Sequence, residues 1–181
     1  MLQSCYTLNM ENIKLAIFDI DGTLLKWGSN LIEVSTVNAI HKLRENGVEV
    51  LVATGRSFYF IKPHVREVLD CDYYVTINGG CLLNHQGEIL NEHPIHNEDV
   101  EFITRIVDKY QASMALKTSK EMVVYRDYDH FTKFYGSSFE SSHLFIDDSI
   151  HRDFHKRVES AKGCFAYSEK RLKENADIKD I

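Results

Sequence analysis

Hydrophobic and polar residues alternate along the first half of the chain in a pattern typical of an α/β protein. Short apolar runs of strand type cover Leu15–Phe18, Val48–Ala53 and Tyr73–Ile77. Between them, apolar residues recur at helical spacing after Ser35, a good N-cap residue, and over roughly 58–69. This order of strand, helix, strand, helix and strand predicts a parallel sheet with right-handed crossovers and a buried first strand.

The pattern changes after this third strand. Asn84–Gly87 predicts the turn of a β-hairpin, and Asn97 predicts the cap of an amphipathic helix. Two strand-like runs follow at Ser113–Leu116 and Met122–Tyr125. We interpret this helix–strand–strand unit as an insertion rather than as a continuation of the first sheet.

The strand–helix rhythm returns near Asp127 and includes the apolar run Leu144–Ile146, which predicts a further strand of the first sheet. The predicted fold class is therefore α/β, with a Rossmann-like parallel sheet, helices on both faces and a small α+β cap insertion. The predicted domains are an N-terminal extension (1–12), a core (13–83 and 127–181) and a small cap (84–126).

Composition excludes some classes of function and leaves others open. The net charge of −6 and the lack of a basic patch argue against a nucleic-acid partner. No apolar run is long enough to cross a membrane, so no membrane partner is expected. The four cysteines are scattered without a C-x-x-C pair, which predicts neither a zinc site nor a disulfide framework, and a cytoplasmic location is the default.

Polar side chains follow three of the predicted strands. Asp19 and Asp21 end the first strand, Thr54 ends the second, and Asp147 and Asp148 end the strand near residue 146. Because the carboxyl ends of parallel strands meet at one edge of a sheet, these residues are expected to converge there. Clustered carboxylates repel one another unless a cation holds them, and oxygen ligands favour Mg²⁺. A carboxylate can also attack phosphorus, while a second one moves protons.

Three motifs carry a resemblance to a known family. Phe18-Asp19-Ile20-Asp21-Gly22-Thr23-Leu24 resembles the first motif of the haloacid dehalogenase (HAD) superfamily. Val52-Ala53-Thr54-Gly55-Arg56 and Ile77-Asn78-Gly79-Gly80 resemble segments of its Cof-type phosphatases. The resemblance implies that Asp19 is the nucleophile, Asp21 the general acid/base and Thr54 a phosphoryl-oxygen ligand. It also implies substrate contacts at Gly22, Gly55, Arg56 and Asn78.

The second half departs from the Cof-type pattern. Leu144-Phe145-Ile146-Asp147-Asp148-Ser149 resembles the Asp-Asp form of the fourth HAD motif, which implies a Mg²⁺ site made by Asp19, Asp21, Asp147 and Asp148. Asp147 and Asp148 have a second interpretation as caps of the following helix. The third motif should supply a basic residue, for which Lys120 and Arg126 are equal candidates.

These observations predict a Mg²⁺-dependent phosphomonoester hydrolase that works through an aspartyl-phosphate on Asp19, with a small phosphorylated metabolite as its substrate. The alternative is a degenerate or truncated HAD-like domain that binds metal or a partner without efficient turnover. A small cap would leave the cleft open, so a homodimer is a further expectation.

Overall fold

The computed structural model describes residues 13–26, 28–29, 31–136, 142–158 and 162–167. The predicted N-terminal extension (1–12) lies outside these residues. The strands and helices of the described part follow in chain order: β1 (Leu15–Phe18), α1 (Val34–Glu45), β2 (Glu49–Ala53), α2 (Pro63–Leu69), β3 (Tyr73–Thr76), β4 (Cys81–Asn84), β5 (Ile89–Glu92), α3 (Asn97–Tyr110), β6 (Ser113–Thr118), β7 (Met122–Arg126), α4 (Tyr128–Gly136), β8 (Phe145–Asp147), α5 (Phe154–Arg157) and β9 (Lys162–Tyr167).

The first sheet has five strands in the order β1-β2-β3-β4-β5. Strands β1, β2 and β3 are parallel, whereas β4 and β5 form the predicted antiparallel hairpin and add to β3. The predicted α/β class is confirmed. The helical stretch predicted over roughly 58–69 is divided into a short 3-10 helix (Phe58–Phe60) and α2, which begins at Pro63.

Helices α1 and α2 pack on the same face of this sheet. Ile40 of α1 and Leu69 of α2 share one hydrophobic cluster with Val50 and Val52 of β2. The chain steps from β1 to β2 to β3 in one direction, and right-handed crossovers then place both helices on one side. In the first half of the chain, both crossover helices thus lie on one face of the first sheet.

Strand β1 lies at the edge of the sheet and is only half buried, although a fully buried strand was expected. The side chains of Leu15 and Ile17 are 44% and 58% exposed because they point to the face opposite the two helices. Ile20, just after the strand, is fully buried.

The second half of the chain builds a separate four-stranded sheet in the order β8-β7-β6-β9. The prediction that residues 127–181 rejoin the first sheet is wrong for the described strands, because β8 pairs in parallel with β7 and β9 pairs with β6. The unit β7-α4-β8 is a strand–helix–strand crossover, as the rhythm of the sequence indicated. Its first strand, β7, belongs to the β6–β7 hairpin of the predicted insertion and not to the first sheet. The second sheet therefore extends beyond the predicted insertion (84–126) and includes β8 and β9.

The two sheets contact each other through a few defined residues. Phe60 packs in one hydrophobic cluster with Ala115 of β6. A Cβ atom on Gly163 of β9 would lie 2.5 Å from Cγ2 of Ile77, which follows β3. The segment between β5 and α3 forms hydrogen bonds with both sheets. His93 N–H donates to the Gly80 carbonyl at 2.8 Å, and Ile95 N–H donates to the Lys162 carbonyl at 3.1 Å. The second sheet is thus packed against the loops at the end of the first.

Helix termini and cysteines complete the comparison with the sequence. Helix α1 begins one residue before the predicted cap Ser35, and α3 is capped by the backbone of His96 rather than by Asn97. Among the described residues, Cys71 and Cys81 are buried free thiols. No helix in the described part has the length and apolar character needed to span a membrane.

Gly163→Ala tests the packing between the two sheets. The added methyl group meets Ile77 at 2.5 Å, so the free energy of unfolding should fall by about 1–3 kcal/mol in urea titrations. Gly80→Ala is the matched control, because its nearest contact would be 3.2 Å away and a smaller loss is expected. Equal losses for the two variants would contradict the tight contact at Gly163.

Candidate active site

The two acids that follow β1 are presented by a tight turn. Ile20 lies between them and is buried, so Asp19 and Asp21 point away from the core. The Ile20 carbonyl accepts hydrogen bonds from the N–H groups of Leu24 (3.1 Å) and Leu25 (2.8 Å), which folds the chain back sharply. Gly22 enables this turn with a positive φ of 79°. Asp19 is left exposed at the end of the strand.

The loops after β2 and β3 are bound to each other by backbone hydrogen bonds. Thr54 N–H donates to the Val75 carbonyl at 2.9 Å, and Ile77 N–H donates to the Arg56 carbonyl at 3.0 Å. Asn78 has a left-handed backbone. A Cβ atom added to Gly55 would lie only 2.7 Å from Oδ1 of Asn78. A side chain at position 55 would therefore require the Asn78 side chain to move.

These three strand ends enclose a cavity of about 330 Å³. It is lined by Asp19, Thr54, Gly55, Asn78 and Gly79, together with Ala53 and Val75. The structure thus brings together four residues that the sequence predicted for one site. Thr54 is buried, and its hydroxyl accepts a hydrogen bond from Arg56 N–H at 3.2 Å.

Arg56 binds Asp21 through two hydrogen bonds. Its Nε donates to Oδ2 at 2.8 Å, and its Nη2 donates to Oδ1 at 2.5 Å. A further bond from Nη1 to the Phe60 carbonyl, at 3.3 Å, fixes the guanidinium. Arg56 was predicted to contact substrate, whereas here it orients Asp21. The N–H of Gly22, also predicted to contact substrate, donates to the Leu25 carbonyl at 2.8 Å.

Asp147 and Asp148 lie at the end of β8, in the second sheet, and not beside β1. Asp148 is buried, and its Oδ2 accepts hydrogen bonds from the N–H groups of Asp153 (3.0 Å) and Phe154 (2.9 Å), where α5 begins. The interpretation of Asp148 as a helix cap is therefore the one the structure supports. No three His, Cys, Asp or Glu side chains of the described residues cluster as a metal site would require, so the predicted four-acid Mg²⁺ site is not assembled among them.

Neither candidate for the third-motif base is placed at this cavity. Lys120 is exposed in the turn between β6 and β7, and Arg126 pairs with Asp108 at 3.1 Å. Lys117 of β6 reaches the site instead, because its Nζ donates to the Gly55 carbonyl at 2.9 Å. Sequence reasoning missed it by ending the strand at Leu116. One more residue of alternation would have put Lys117 on the same face as Ala115.

The environment of Lys117 is electrostatically unusual. The residue is only 6% exposed, and this burial lowers the pKa of its ammonium group from the ordinary 10.5 to about 8. The nearby Asp21 carboxylate raises the pKa in part, and the Arg56 guanidinium lowers it further. Lys117 therefore lies within the electrostatic reach of the Asp21–Arg56 pair.

One histidine of the second half of the chain is buried. His155 of α5 is 2% exposed, and its Nδ1 is 2.8 Å from the Tyr125 hydroxyl, which also accepts the His155 N–H. Burial lowers the pKa of His155. This group stabilises the second sheet and lies outside the cavity described above.

A family model for haloacid dehalogenase-like hydrolases matches residues 16–179. The chain belongs to the haloacid dehalogenase-like hydrolases. The match runs from β1 through β9, so the second sheet falls within the family as well as the first.

Individual HAD proteins resemble different shares of the chain. An HMP-PP phosphatase of Yersinia enterocolitica is 30% identical over 130 residues, which cover 72% of this chain and 44% of the Yersinia protein. An HMP-PP phosphatase of Yersinia pestis is 34% identical over 103 residues, covering 57% of this chain and 37% of its own length. The chain thus spans less than half the length of these relatives.

Solved structures show the same fold at lower sequence identity. A HAD phosphatase from Bacteroides thetaiotaomicron superposes with a TM-score of 0.70 at 20% identity, over 94% of this chain and 62% of its own. A HAD subclass IIB sugar phosphatase gives a TM-score of 0.68 at 23% identity, over 89% and 61% of the two chains. Both coverages of this chain are too large for a match to the first sheet alone.

A double-mutant cycle with Asp21→Asn and Arg56→Gln measures the pair that orients Asp21. The two side chains are 35% and 15% exposed, so we expect a coupling free energy of about 1–2 kcal/mol in urea unfolding. The exposed pair Lys156–Glu101 is the control and should couple by less than about 0.5 kcal/mol. A coupling at Arg56 as small as this control value would contradict the assigned geometry.

The lowered pKa of Lys117 predicts a dependence of stability on pH. Between pH 8 and 10.5 the unfolded chain binds more protons at this residue than the folded one, so the burial penalty decreases as pH rises. Relative to Lys117→Met, the wild-type free energy of unfolding should increase by about 2–3 kcal/mol from pH 7 to pH 10. Parallel curves for the two proteins would show that Lys117 is not buried in its charged form.

Proposed function

We propose that the chain acts as a phosphomonoester hydrolase with Asp19 as its nucleophile. The observation that supports this most directly is the cavity of about 330 Å³ in which an exposed Asp19 faces the loops of Thr54 and Asn78. Membership of the HAD hydrolases favours phosphoryl transfer over other uses of a carboxylate at this position.

In the proposed reaction, an Asp19 carboxylate oxygen attacks the phosphorus atom of the substrate. The bond between phosphorus and the leaving oxygen breaks, and an aspartyl-phosphate remains on the protein. Water then attacks this mixed anhydride, which releases inorganic phosphate and regenerates the carboxylate. The Thr54 hydroxyl and the Asn78 side chain line the same cavity and are suited to hold phosphoryl oxygens.

Asp21 is proposed to move the protons. It would donate one to the leaving oxygen and take one from the attacking water. Because Arg56 donates to both carboxylate oxygens, each proton transfer through Asp21 requires that one of these hydrogen bonds be released. Arg56 is therefore a positioning residue in this proposal.

Mg²⁺ is general among HAD phosphatases, so Mg²⁺ dependence belongs to the proposal. The described residues offer the exposed Asp19 carboxylate, but both oxygens of Asp21 are bound to Arg56, and Asp148 caps α5. These donors do not fit a complete Mg²⁺ site. A further acidic ligand is needed from outside the described residues.

Small phosphorylated metabolites are the proposed substrate class. HMP-PP and sugar phosphates are the first compounds to assay, because relatives and structural neighbours of this chain carry those names. A homodimer was expected to cover an open cleft, but Lys117 of the second sheet already contacts the loop after β2. That reason for a homodimer therefore no longer applies.

A second candidate is a HAD domain that binds phosphate without efficient turnover. It is favoured by the positions of Asp147, Asp148, Lys120 and Arg126, none of which lines the cavity of Asp19 among the described residues. Binding of inorganic phosphate without hydrolysis of any phosphomonoester would select this alternative.

Asp19→Asn tests the nucleophile. Hydrolysis of p-nitrophenyl phosphate, measured with and without Mg²⁺, should fall by at least about 10³-fold because an amide oxygen is a poor nucleophile. Asp72→Asn is the matched control, since this exposed acid precedes β3 at the opposite end of the sheet and its loss should leave the rate unchanged. An Asp19→Asn protein with wild-type activity would rule out the mechanism.

A further inference from the structure

The 3-10 helix that precedes α2 places two aromatic side chains in two different hydrophobic cores. Phe58 belongs to the cluster of the first sheet, where its ring centroid lies 5.3 Å from that of Tyr74 in an edge-to-face arrangement. Phe60 is buried in the cluster of the second sheet, with its ring centroid 5.8 Å from that of Phe145 and 6.0 Å from that of Tyr135. Side chains two residues apart on a 3-10 helix point about 120° apart, so this one short turn reaches both cores.

The backbone of Phe60 is bound to the residue that orients Asp21. Its carbonyl accepts a hydrogen bond from Nη1 of Arg56 at 3.3 Å, while Nε and Nη2 of the same guanidinium group donate to Asp21. Phe60 therefore has its ring in the second sheet and its carbonyl on the arginine that orients the acid. A continuous series of contacts leads from β8 through Phe60 and Arg56 to Asp21.

The strengths of these interactions indicate which group determines the position of the other. A buried ring that is surrounded by other aromatic rings is held more firmly than a guanidinium group is held by a single hydrogen bond of 3.3 Å. The position of the Phe60 ring therefore determines where the turn lies, and the Arg56 side chain adapts to the turn. A displaced ring would weaken this hydrogen bond, and the guanidinium group and Asp21 would then sample a wider range of orientations.

We propose that Phe60 is a positioning residue through which the second sheet fixes the orientation of Asp21. This role rests on the phosphohydrolase function proposed above, in which Asp21 donates a proton to the leaving oxygen. General acid catalysis requires the proton donor to lie within hydrogen-bond reach of that oxygen, so a poorly oriented Asp21 slows the reactions that depend most on this proton. Leaving groups that are weak bases depend on it least.

Two aryl phosphates of similar shape separate this role from packing. Phenoxide is a stronger base than p-nitrophenoxide, so hydrolysis of phenyl phosphate depends more on the proton from Asp21 than hydrolysis of p-nitrophenyl phosphate does. The kcat and KM of Phe60→Leu are measured with both compounds, and the ratio of the two kcat values is compared with that of the wild-type protein.

Phe131→Leu is the matched control. Phe131 of α4 is buried in the same cluster, and its ring contacts Phe145 and Tyr135, as the ring of Phe60 does. Both variants remove an aromatic ring from this cluster, but Phe60→Leu also changes the residue whose carbonyl binds Arg56.

We expect the kcat of Phe60→Leu to fall about tenfold further for phenyl phosphate than for p-nitrophenyl phosphate, with KM for both compounds within about threefold of wild type. Phe131→Leu should lower stability and leave the ratio of the two kcat values unchanged. If Phe60→Leu fails to fold, Phe60→Met gives the same comparison with a flexible side chain that fills the space better.

A cycle of urea-unfolding measurements tests the contact with Arg56 without relying on activity. Arg56→Gln should reduce the folding equilibrium constant by a factor at least about threefold smaller in the Phe60→Leu background than in the wild-type protein. In the Phe131→Leu background, Arg56→Gln should have its wild-type effect.

Three outcomes would overturn the inference in distinguishable ways. Additive effects of Phe60→Leu and Arg56→Gln on unfolding would show that the two residues are not coupled. Equal losses of kcat for the two aryl phosphates in Phe60→Leu, with hydrolysis still dependent on Asp19, would reduce Phe60 to a core residue while the proposed function stands. A wild-type protein that hydrolyses neither aryl phosphate would remove the proposed function and the role of Phe60 with it.

Discussion

The backbone of Ile77 is the constraint on which the rest of the site depends. Ile77 is a β-branched residue with a φ of 55°, a conformation that costs about 1–3 kcal/mol and persists only where neighbours enforce it. Its N–H is bound to the Arg56 carbonyl, its own carbonyl accepts from Gly80, and its side chain packs on Gly163 of the second sheet. One strained residue thereby joins the two loops of the cavity to the second sheet.

This constraint explains why a site made of short loops keeps its shape. Asn78, the next residue, also has a left-handed backbone, and its side chain occupies the space that a Cβ atom on residue 55 would need. Arg56 follows Gly55 and donates hydrogen bonds to Asp21. The position of Asp21 after β1 therefore depends on the loop after β3, through Arg56. A small shift at Ile77 would move Asn78 and Arg56 together.

Local sequence patterns predicted most helices and strands, but not which strands pair in which sheet, because that pairing depends on contacts between distant residues. The strands that end at Asp19 and Thr54 follow from apolar runs before polar turns, and both residues line one cavity as expected. The strand that ends at Asp147 was also predicted. The sequence pattern of a strand–helix–strand crossover, however, is the same whichever sheet the last strand joins. Its partner β7 is chosen by packing around Phe131 and Phe145, which no local pattern specifies.

The exposed edge of β1 has a consequence for how the protein behaves at high concentration. Leu15 and Ile17 of this edge strand expose apolar side chains on the face opposite the helices, and no described strand pairs with the outer edge of β1. Such an edge is a template for strand addition from another copy. Because β1 ends directly in Asp19, intermolecular pairing at this edge would alter the strand that carries the attacking carboxylate, so self-association and loss of reactivity are expected to occur together.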